Sequence, residues 1–502
     1  MKAIVILLDS VNRRHLSTYG NDWVKTPNID RLRSCSVVFD NHWVGSAPCM
    51  PARRDMLTGR LNFLERNWGP VEPFDYTLPQ ALRSKEIYSH MITDHFHYMR
   101  YGGENYCQSF DTWDFYRGQE IDPWVPQLSE VKIPEGYGQI RSQYEYNRTR
   151  FKTEECYPSP LTLKAAADWV EEYRHADNYL LWVEAFDPHE PFDVPEEYLK
   201  LYNDKYDGPH YTWPHYQPVD VPEEALEHIK NRYAALLTMT DQWLGKLLDK
   251  MDQYDLWKDT LVIFTTDHGF MLGEHGFMAK NYMPAYNEVF HIPLMVHMPE
   301  GEHAGKRINA LTQNIDIFPT LVEYFKIENN VFKNPIHGKS WMPLIRGEVE
   351  KIRDYAINGY FAKNVNITDG KYTYFRTAVR EDNTPINVYC AMPTTIGQYL
   401  GLDCVKDFSR MEMGRYLNWT DYPVYKIPGE IIAQRDRSQA FDINGPLINS
   451  NRLFDIINDY AQEKNIVDDE LEQKYIRALI ETMQEHDSPE EQFERLGLTA
   501  GT

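Results

Sequence analysis

Basic residues are scarce in this chain: 52 Lys and Arg stand against 75 Asp and Glu among 502 residues, a formal net charge of −23. That balance argues against a nucleic-acid partner held by a broad basic surface, so an anionic ligand has to find a local positive pocket. Long apolar runs are also missing. No stretch reaches the roughly 18 apolar residues of a membrane-spanning helix, which predicts a soluble globular chain. Cysteine is sparse too: Cys35, Cys49, Cys107, Cys156, Cys390 and Cys404 show neither CxxC nor zinc-finger spacing, as expected of a reduced cytoplasmic protein. The opening "MKAIVILLDS" loses its apolar character at Asp9 with no small-residue cleavage site behind it, and reads as a buried strand rather than a secretory leader. Internal repeats and low-complexity tracts are absent from the sequence.

What is present is a large apolar fraction, 42%, with 14% aromatics, enough for an extensive core. Strand-like runs alternate with helix-like ones through roughly the first 365 residues, which predicts an α/β fold, a parallel sheet covered by helices on both faces. "KAIVILLD", "YLLWVEAF", "LVIFTTDHG" and "IPLMVHMP" are the strands. Thr26 and Pro27, and again Ser159 and Pro160, read as N-cap and first residue of helices. Apolar residues from Ile229 to Met251 recur at helical spacing, predicting one long helix from Pro222 to about Tyr254. Beyond about Val365 short hairpin candidates such as "GKYTYFRTAVR" precede a polar helix near Asp468 to His486. The expected division is therefore a catalytic domain over 1–365 and a smaller C-terminal α+β domain over 366–502. Segments 100–158 and 192–221, rich in Tyr, Trp and Pro, are expected to be long loops over one rim of the sheet, serving either packing or substrate binding.

Asp9 ends one apolar strand, and Asp267 with His268 ends another. In open parallel sheets ligands collect at the carboxyl ends of strands, so these groups can form the shell of a divalent metal such as calcium, magnesium or manganese. Taken singly, such residues are more often turn or capping groups. Pro51 suits the first position of a helix through "ARRDMLTG", which sets Cys49 just outside the positive end of a helix dipole, where a thiol or its derivative faces anions favourably. A buried inert cysteine is the alternative.

The wider context resembles the type I sulfatases of the alkaline phosphatase superfamily. "CMPAR" and "LTGR" match their C-x-P-x-R and T-G-R signature, and "TPNIDRL", "FDPHEPF", "TTDHGFMLGEHG", "NIDIFPTLVEYF", "HGKSWMPLIRG" and "LFDIINDYAQEKNIVDD" follow in family order across most of the chain. The resemblance implies an alkaline phosphatase-like fold, a large mixed but mostly parallel sheet. It also implies that a maturation enzyme oxidises Cys49 to formylglycine, whose hydrated aldehyde attacks sulfur to give a covalent sulfated intermediate. By the same resemblance Asp9, Asp267, His268 and modified Cys49 hold one divalent metal, preferentially calcium, and Arg53 steadies the hydrate. His189 protonates the leaving oxygen, Lys280 binds sulfate, His97 is the base acting on the diol, and His275 serves structure.

Two departures from the family pattern stand out. Ser10 replaces the second aspartate of the usual pair, a change shared with related phosphonate and phosphodiester hydrolases. His95 occupies the lysine position of a K-x-H pair, exchanging a permanent cation for a titratable one, so its charged form is expected to matter. The implied activity is hydrolysis of a sulfate monoester, with a small molecule or saccharide as substrate. A phosphonate monoester or phosphodiester hydrolase and a silent anion binder are the alternatives. No nucleic acid or membrane partner is expected, and an oligomer is allowed.

Overall fold

The computed structural model describes residues 1–328, 332–432 and 448–499. Its largest element is a nine-stranded sheet. The central order runs His291–His297, Thr260–Thr265, Lys2–Leu8, Tyr179–Ala185, Tyr88–Thr93, Thr112–Phe115, and Val37–Trp43 flanks the other side of His291–His297. Every pair from Thr260–Thr265 to Thr112–Phe115 is parallel, whereas His291–His297 lies antiparallel to both its neighbours. The sheet is thus mixed and largely parallel, as expected.

All seven residues of Lys2–Leu8 are buried, because the strand carries a core on each face. Ile4, Ile6 and Leu8 enter one core with the long helix Glu223–Gln253 and the helices Pro27–Ser34 and Pro158–Glu172. Ala3, Val5 and Leu7 enter the other, with Met50, Met56 and Leu57 of the helix Cys49–Thr58 and with Ile317–Tyr324. Each Leu, Ile or Val withdrawn from water contributes about 1.5–3 kcal/mol, so a charge at Val5 or Ile6 would remove the strand that centres the sheet. Among the described residues no helix is long and apolar enough to cross a membrane.

Local signals placed the helices to within a residue or two, and the differences have physical causes. The helix expected to begin at Pro160 begins at Pro158 with Tyr157 at the cap position. Ser159 is drawn elsewhere: its hydroxyl donates to Asp94 at 2.7 Å and accepts the Asp187 N–H at 3.0 Å. Thr26 does occupy the cap position of Pro27–Ser34 but makes no capping bond. Asp241 of the long helix caps it instead, accepting the N–H groups of Asn28 at 3.0 Å and Ile29 at 2.7 Å. Segment 100–158, expected as loop, contributes the edge strand Thr112–Phe115 and the helix Ser142–Arg148. Their sequences are too polar and exposed to show a strand period.

A smaller sheet follows, ordered Arg452–Asp455, Tyr372–Arg376, Val365–Thr368, Ala356–Tyr360, Ser46–Ala47. The helix Asp469–Glu485 packs Tyr475, Ala478, Leu479 and Met483, one apolar stripe, against Ile357, Ile367 and Leu453. Its N-cap, Asp468, accepts the Leu471 N–H at 2.9 Å. Ala356–Tyr360, ahead of residue 366, belongs to this sheet, and Ser46–Ala47 joins it in parallel two residues before Cys49. The small sheet therefore braces the entry to the helix that carries the cysteine.

Candidate active site

Four neighbouring parallel strands end at one edge of the large sheet, and each delivers polar residues there. Lys2–Leu8 is followed by Asp9 and Ser10, and Thr260–Thr265 by Asp267 and His268. Tyr179–Ala185 contains Glu184 and leads to His189, and Tyr88–Thr93 leads to His95 and His97. Asp9 extends the ladder by one rung, its N–H donating to the Ala185 carbonyl at 3.1 Å.

The helix facing this edge starts at Cys49 itself, and Pro51 is its third residue rather than its first. The shift costs nothing, because the first intrahelical bond is Ala52 N–H to Pro48 O at 3.0 Å and a proline at the third position forfeits none. Cys49 thus sits in the first turn, where unpaired N–H groups and the dipole favour an anion. One turn on, Arg53 is 1% exposed and reaches three carboxylates from three strands: Glu184 at 2.7 Å, Asp267 at 2.5 Å and Asp9 at 2.8 Å. It also donates to the carbonyl of Cys49 at 3.0 Å. The fork geometry of a guanidinium makes that possible, and lysine could not reproduce it.

Asp9, Cys49, Asp267 and His268 each offer a donor atom within 4.8 Å of the other three, all buried. His268 donates from Nδ1 to the Gly269 carbonyl at 2.8 Å, which leaves the Nε2 lone pair aimed at the group, 3.1 Å from Cys49 Sγ and 3.3 Å from Asp267 Oδ2. Burial disfavours a charge on Asp9, but Arg53, Lys280 and His268 outweigh it and hold the carboxyl below its ordinary range. Asp9, Asp267 and Glu184 together exceed the cations Arg53 and Lys280 by one charge. Two hard oxygens, one prepared imidazole and residual negative charge fit a divalent metal.

Cys49 as a thiol does not fit nucleophilic work. Burial first, then Asp9, pushes it well above the usual thiol range, so the thiolate does not form at neutral pH. Ser10 holds the left-handed conformation, φ 63°, donates to Asp9 at 2.7 Å and accepts from Lys280 Nζ at 3.0 Å. Burial opposes the charge on Lys280, yet Glu190, Asp9 and the other acids around it keep it protonated.

His189, His97 and His95 are buried. His189 donates from Nδ1 to the Glu190 carbonyl at 2.6 Å. Burial, then Lys280, depresses its pKa well below 6.5. His97 lies with Nε2 3.6 Å from Glu120 and its ring against the edge of Trp68. It is also depressed, by burial and then Arg100. His95 lies 3.9 Å from Asp9, has neither ring nitrogen hydrogen-bonded, and is depressed by burial and then Arg53. Burial and Arg53 thus disfavour its cation, the form expected to stand in for the lysine. His275 stacks on Tyr286 with centroids 3.8 Å apart, outside this group.

Sequence reasoning missed Glu184, Tyr98, Glu120 and Glu190. Glu184 had a signal, a lone acid inside the apolar strand "YLLWVEAF"; it accepts from Arg53 and, at 3.0 Å, from Tyr98. Glu120 lies in a loop without periodicity and gave none.

Comparison with known proteins shows the family. The family model described as Sulfatase matches residues 2–327. A choline-sulfatase of Rhizobium meliloti (strain 1021) is 26% identical over 429 residues, covering 78% of each chain. Among solved structures, a phosphonate monoester hydrolase of Agrobacterium radiobacter superposes with TM-score 0.66 at 18% identity, covering 97% of this chain and 96% of that one. A protein solved in complex with its substrate D-glucosamine-2-N,6-O-disulfate superposes with TM-score 0.64 at 16% identity, covering 97% and 98%. With the signature cysteine, its arginine and the strand-end acids gathered in one buried site, this chain belongs to the sulfatase family of enzymes.

Proposed function

We propose that the protein hydrolyses a sulfate monoester to an alcohol and inorganic sulfate, using formylglycine made from Cys49 and one divalent metal. The observation that carries this reading is the position of Cys49: first turn of a buried helix, 3.1 Å from His268, with a thiol whose burial leaves it inert until modified. Formylglycine, supplied by a maturation enzyme, brings a nucleophilic hydroxyl to that point. Asp9, Asp267, His268 and the modified residue would hold the metal, calcium by preference, which supplies positive charge for the sulfate oxygens.

The chain's own residues then divide the work. Lys280 stays protonated and offers N–H donors to a sulfate oxygen. Arg53 fixes Asp9 and Asp267 and, through the Cys49 carbonyl, the nucleophile's backbone. His97, neutral, can accept a proton from a hydroxyl. His189 keeps one proton on Nδ1, so it can protonate a leaving oxygen from Nε2 only as the imidazolium; burial opposes that form, and a bound sulfate ester with Glu120 and Glu190 favours it. Cys35, Cys49, Cys107, Cys156 and Cys390 carry no disulfide, which supports a reducing, cytoplasmic setting as part of this proposal.

A second reading, a phosphonate monoester or phosphodiester hydrolase, draws on Ser10 in place of a second aspartate and on the likeness to the Agrobacterium radiobacter enzyme. Initial rates on 4-nitrophenyl sulfate, phenylphosphonate and bis(4-nitrophenyl) phosphate, with peptide mass analysis of residue 49, test both. The sulfate ester is expected to be the preferred substrate and residue 49 to have lost its sulfur. A preference for phosphonate or diester would select the second reading; an unmodified Cys49 with no turnover would leave only an anion binder.

A further inference from the structure

Beside the nucleophile, a second set of donors converges that none of the steps above fully employs. Glu120, His189 and Glu190 each place a donor atom within 4.8 Å of the other two, and all three are buried. Glu190 is 0% exposed. One of its oxygens accepts from Tyr216; the other, Oε2, is buried with no hydrogen-bond partner among the described residues. Among the described residues two histidine ring nitrogens lie near the Glu120 carboxylate, His97 Nε2 and His189 Nδ1, each at 3.6 Å and too far for a hydrogen bond, and His189 Nδ1 is also 3.4 Å from Glu190 Oε2. Its backbone is in the left-handed region, φ 42°, a costly conformation for a glutamate, in a loop pinned where Asn147 Nδ2 donates to the Asp122 carbonyl at 2.8 Å.

The electrostatics of the pair favour a further cationic partner. Two carboxylates held together in a dry site repel each other, and they also repel an anion bound at Lys280. Burial first, and then Glu190, pushes Glu120 well above the ordinary carboxylate range, as befits a site short of positive charge. Lys280 supplies part of it, but its ammonium is bound to Ser10 at 3.0 Å, lies 4.0 Å from Asp9 and makes no hydrogen bond to either glutamate among the described residues. A second metal ion fits poorly, because His189 spends Nδ1 on the Glu190 carbonyl at 2.6 Å and leaves two carboxylates where a hard cation needs six or more oxygens. A quaternary ammonium has no N–H to give Glu190 Oε2. A hydroxyl offers one donor and no charge. A protonated primary amine offers three donors and the missing charge at once.

We propose that Glu120 and Glu190 form the subsite for the leaving alcohol, and that the substrate is the sulfate ester of an amino alcohol or amino sugar whose primary ammonium hydrogen-bonds both carboxylates. This rests on the sulfate-ester reading above and names its substrate class.

The test pairs esters that differ only in the amine: 2-aminoethyl sulfate against ethyl sulfate, and glucosamine 6-sulfate against glucose 6-sulfate, with choline sulfate added as a cation lacking N–H. In at least one pair kcat/KM for the amino ester is expected to exceed that of its neutral partner by about 100-fold, with choline sulfate nearer the neutral ester. Glu190→Gln and, independently, Glu120→Gln should each cut that ratio by about 10-fold or more, whereas a merely structural role would lower both members of a pair alike. Ratios near one in both pairs, or ratios unmoved in both variants, would overturn the subsite. A second equivalent of metal, found by elemental analysis of the wild type and lost in both variants, would also overturn it. If no sulfate ester is turned over at all, the catalytic reading fails separately. Calorimetric titration of Cys49→Ala with the same pairs then decides the subsite, and equal affinities or no binding of either member would refute it.

Discussion

Arg53 and Cys49 are joined across one helical turn: Arg53 donates to the Cys49 carbonyl at 3.0 Å while the same guanidinium binds Asp9, Asp267 and Glu184. The backbone that carries the nucleophile is thereby tied to the acids that would hold the metal. A displacement of either is transmitted to the other through a single, fully buried, planar group.

Cys49→Ala should lower kcat by at least about 1,000-fold, because no other group at the helix start can supply the nucleophile. The thiol makes one short polar contact, to His268, and its loss leaves only a small cavity, so the thermal midpoint should move by no more than about 4–5 °C. Rate and melting curve are measured on the same preparation. Substantial residual activity in protein free of contaminating hydrolase would remove Cys49 from the chemistry.

His268→Ala should lose bound metal and activity together, since its Nε2 is the imidazole nitrogen grouped with Asp9, Asp267 and Cys49. Asp267→Asn should do the same and also melt lower, by an amount corresponding to about 3–5 kcal/mol, because it breaks a buried pair with Arg53. Elemental analysis beside kinetics reads both. A variant that keeps stoichiometric metal would take its side chain out of the shell.

His95→Lys separates charge from shape. Because burial and Arg53 keep His95 neutral, the wild-type rate should show no alkaline limb from its deprotonation, and the substitution should leave any alkaline limb where it was. Adding a cation beside Arg53, where it would compete for Asp9, should lower the rate at every pH by about 10-fold or more. A limb that moves upward in the variant would show that the histidine works as its cation after all. Trapping of sulfated enzyme in His97→Ala tests the neighbouring base in parallel, and absence of accumulated intermediate in a slow variant would deny it that role.

Glu288 gives a stability prediction remote from chemistry. Burial, then Glu274, pushes its pKa up to about 8, and Oε2 has no hydrogen-bond partner among the described residues. Above its ordinary pKa the unfolded chain releases this proton while the folded one retains it, so stability is lost as pH rises from about 4.5 towards 8, by at most about 1.4 kcal/mol per unit. Glu288→Gln removes that loss. Its midpoint should match wild type near pH 5 and exceed it by several degrees at pH 8; an equal difference at both pH values would contradict the assignment.

The strands, the long helix and the meeting of Asp9, Asp267 and His268 were legible because each depends on near neighbours in the chain or on the ends of adjacent strands. Six apolar residues ending in Asp9, or apolar residues at helical spacing from Ile229 to Met251, specify an element and its polar end through backbone hydrogen bonding and side-chain period alone. Parallel packing then brings the ends of adjacent strands to one edge, so Asp9, Asp267 and His268 could be gathered without coordinates. Other features depend on contacts between residues far apart, and no local period encodes them. Asp241, more than two hundred residues away, caps the helix that Thr26 only begins. Ser46–Ala47 pairs with Ala356–Tyr360 because two sheets meet beside the nucleophile. Glu120 reaches Glu190 and His97 from a loop with no pattern of its own, and burial with the distant Arg53 lowers the pKa of His95. The chemical kind of the site was written in the order of residues along the chain, whereas its charge state and the shape offered to the leaving group exist only once distant segments exclude solvent from a common space.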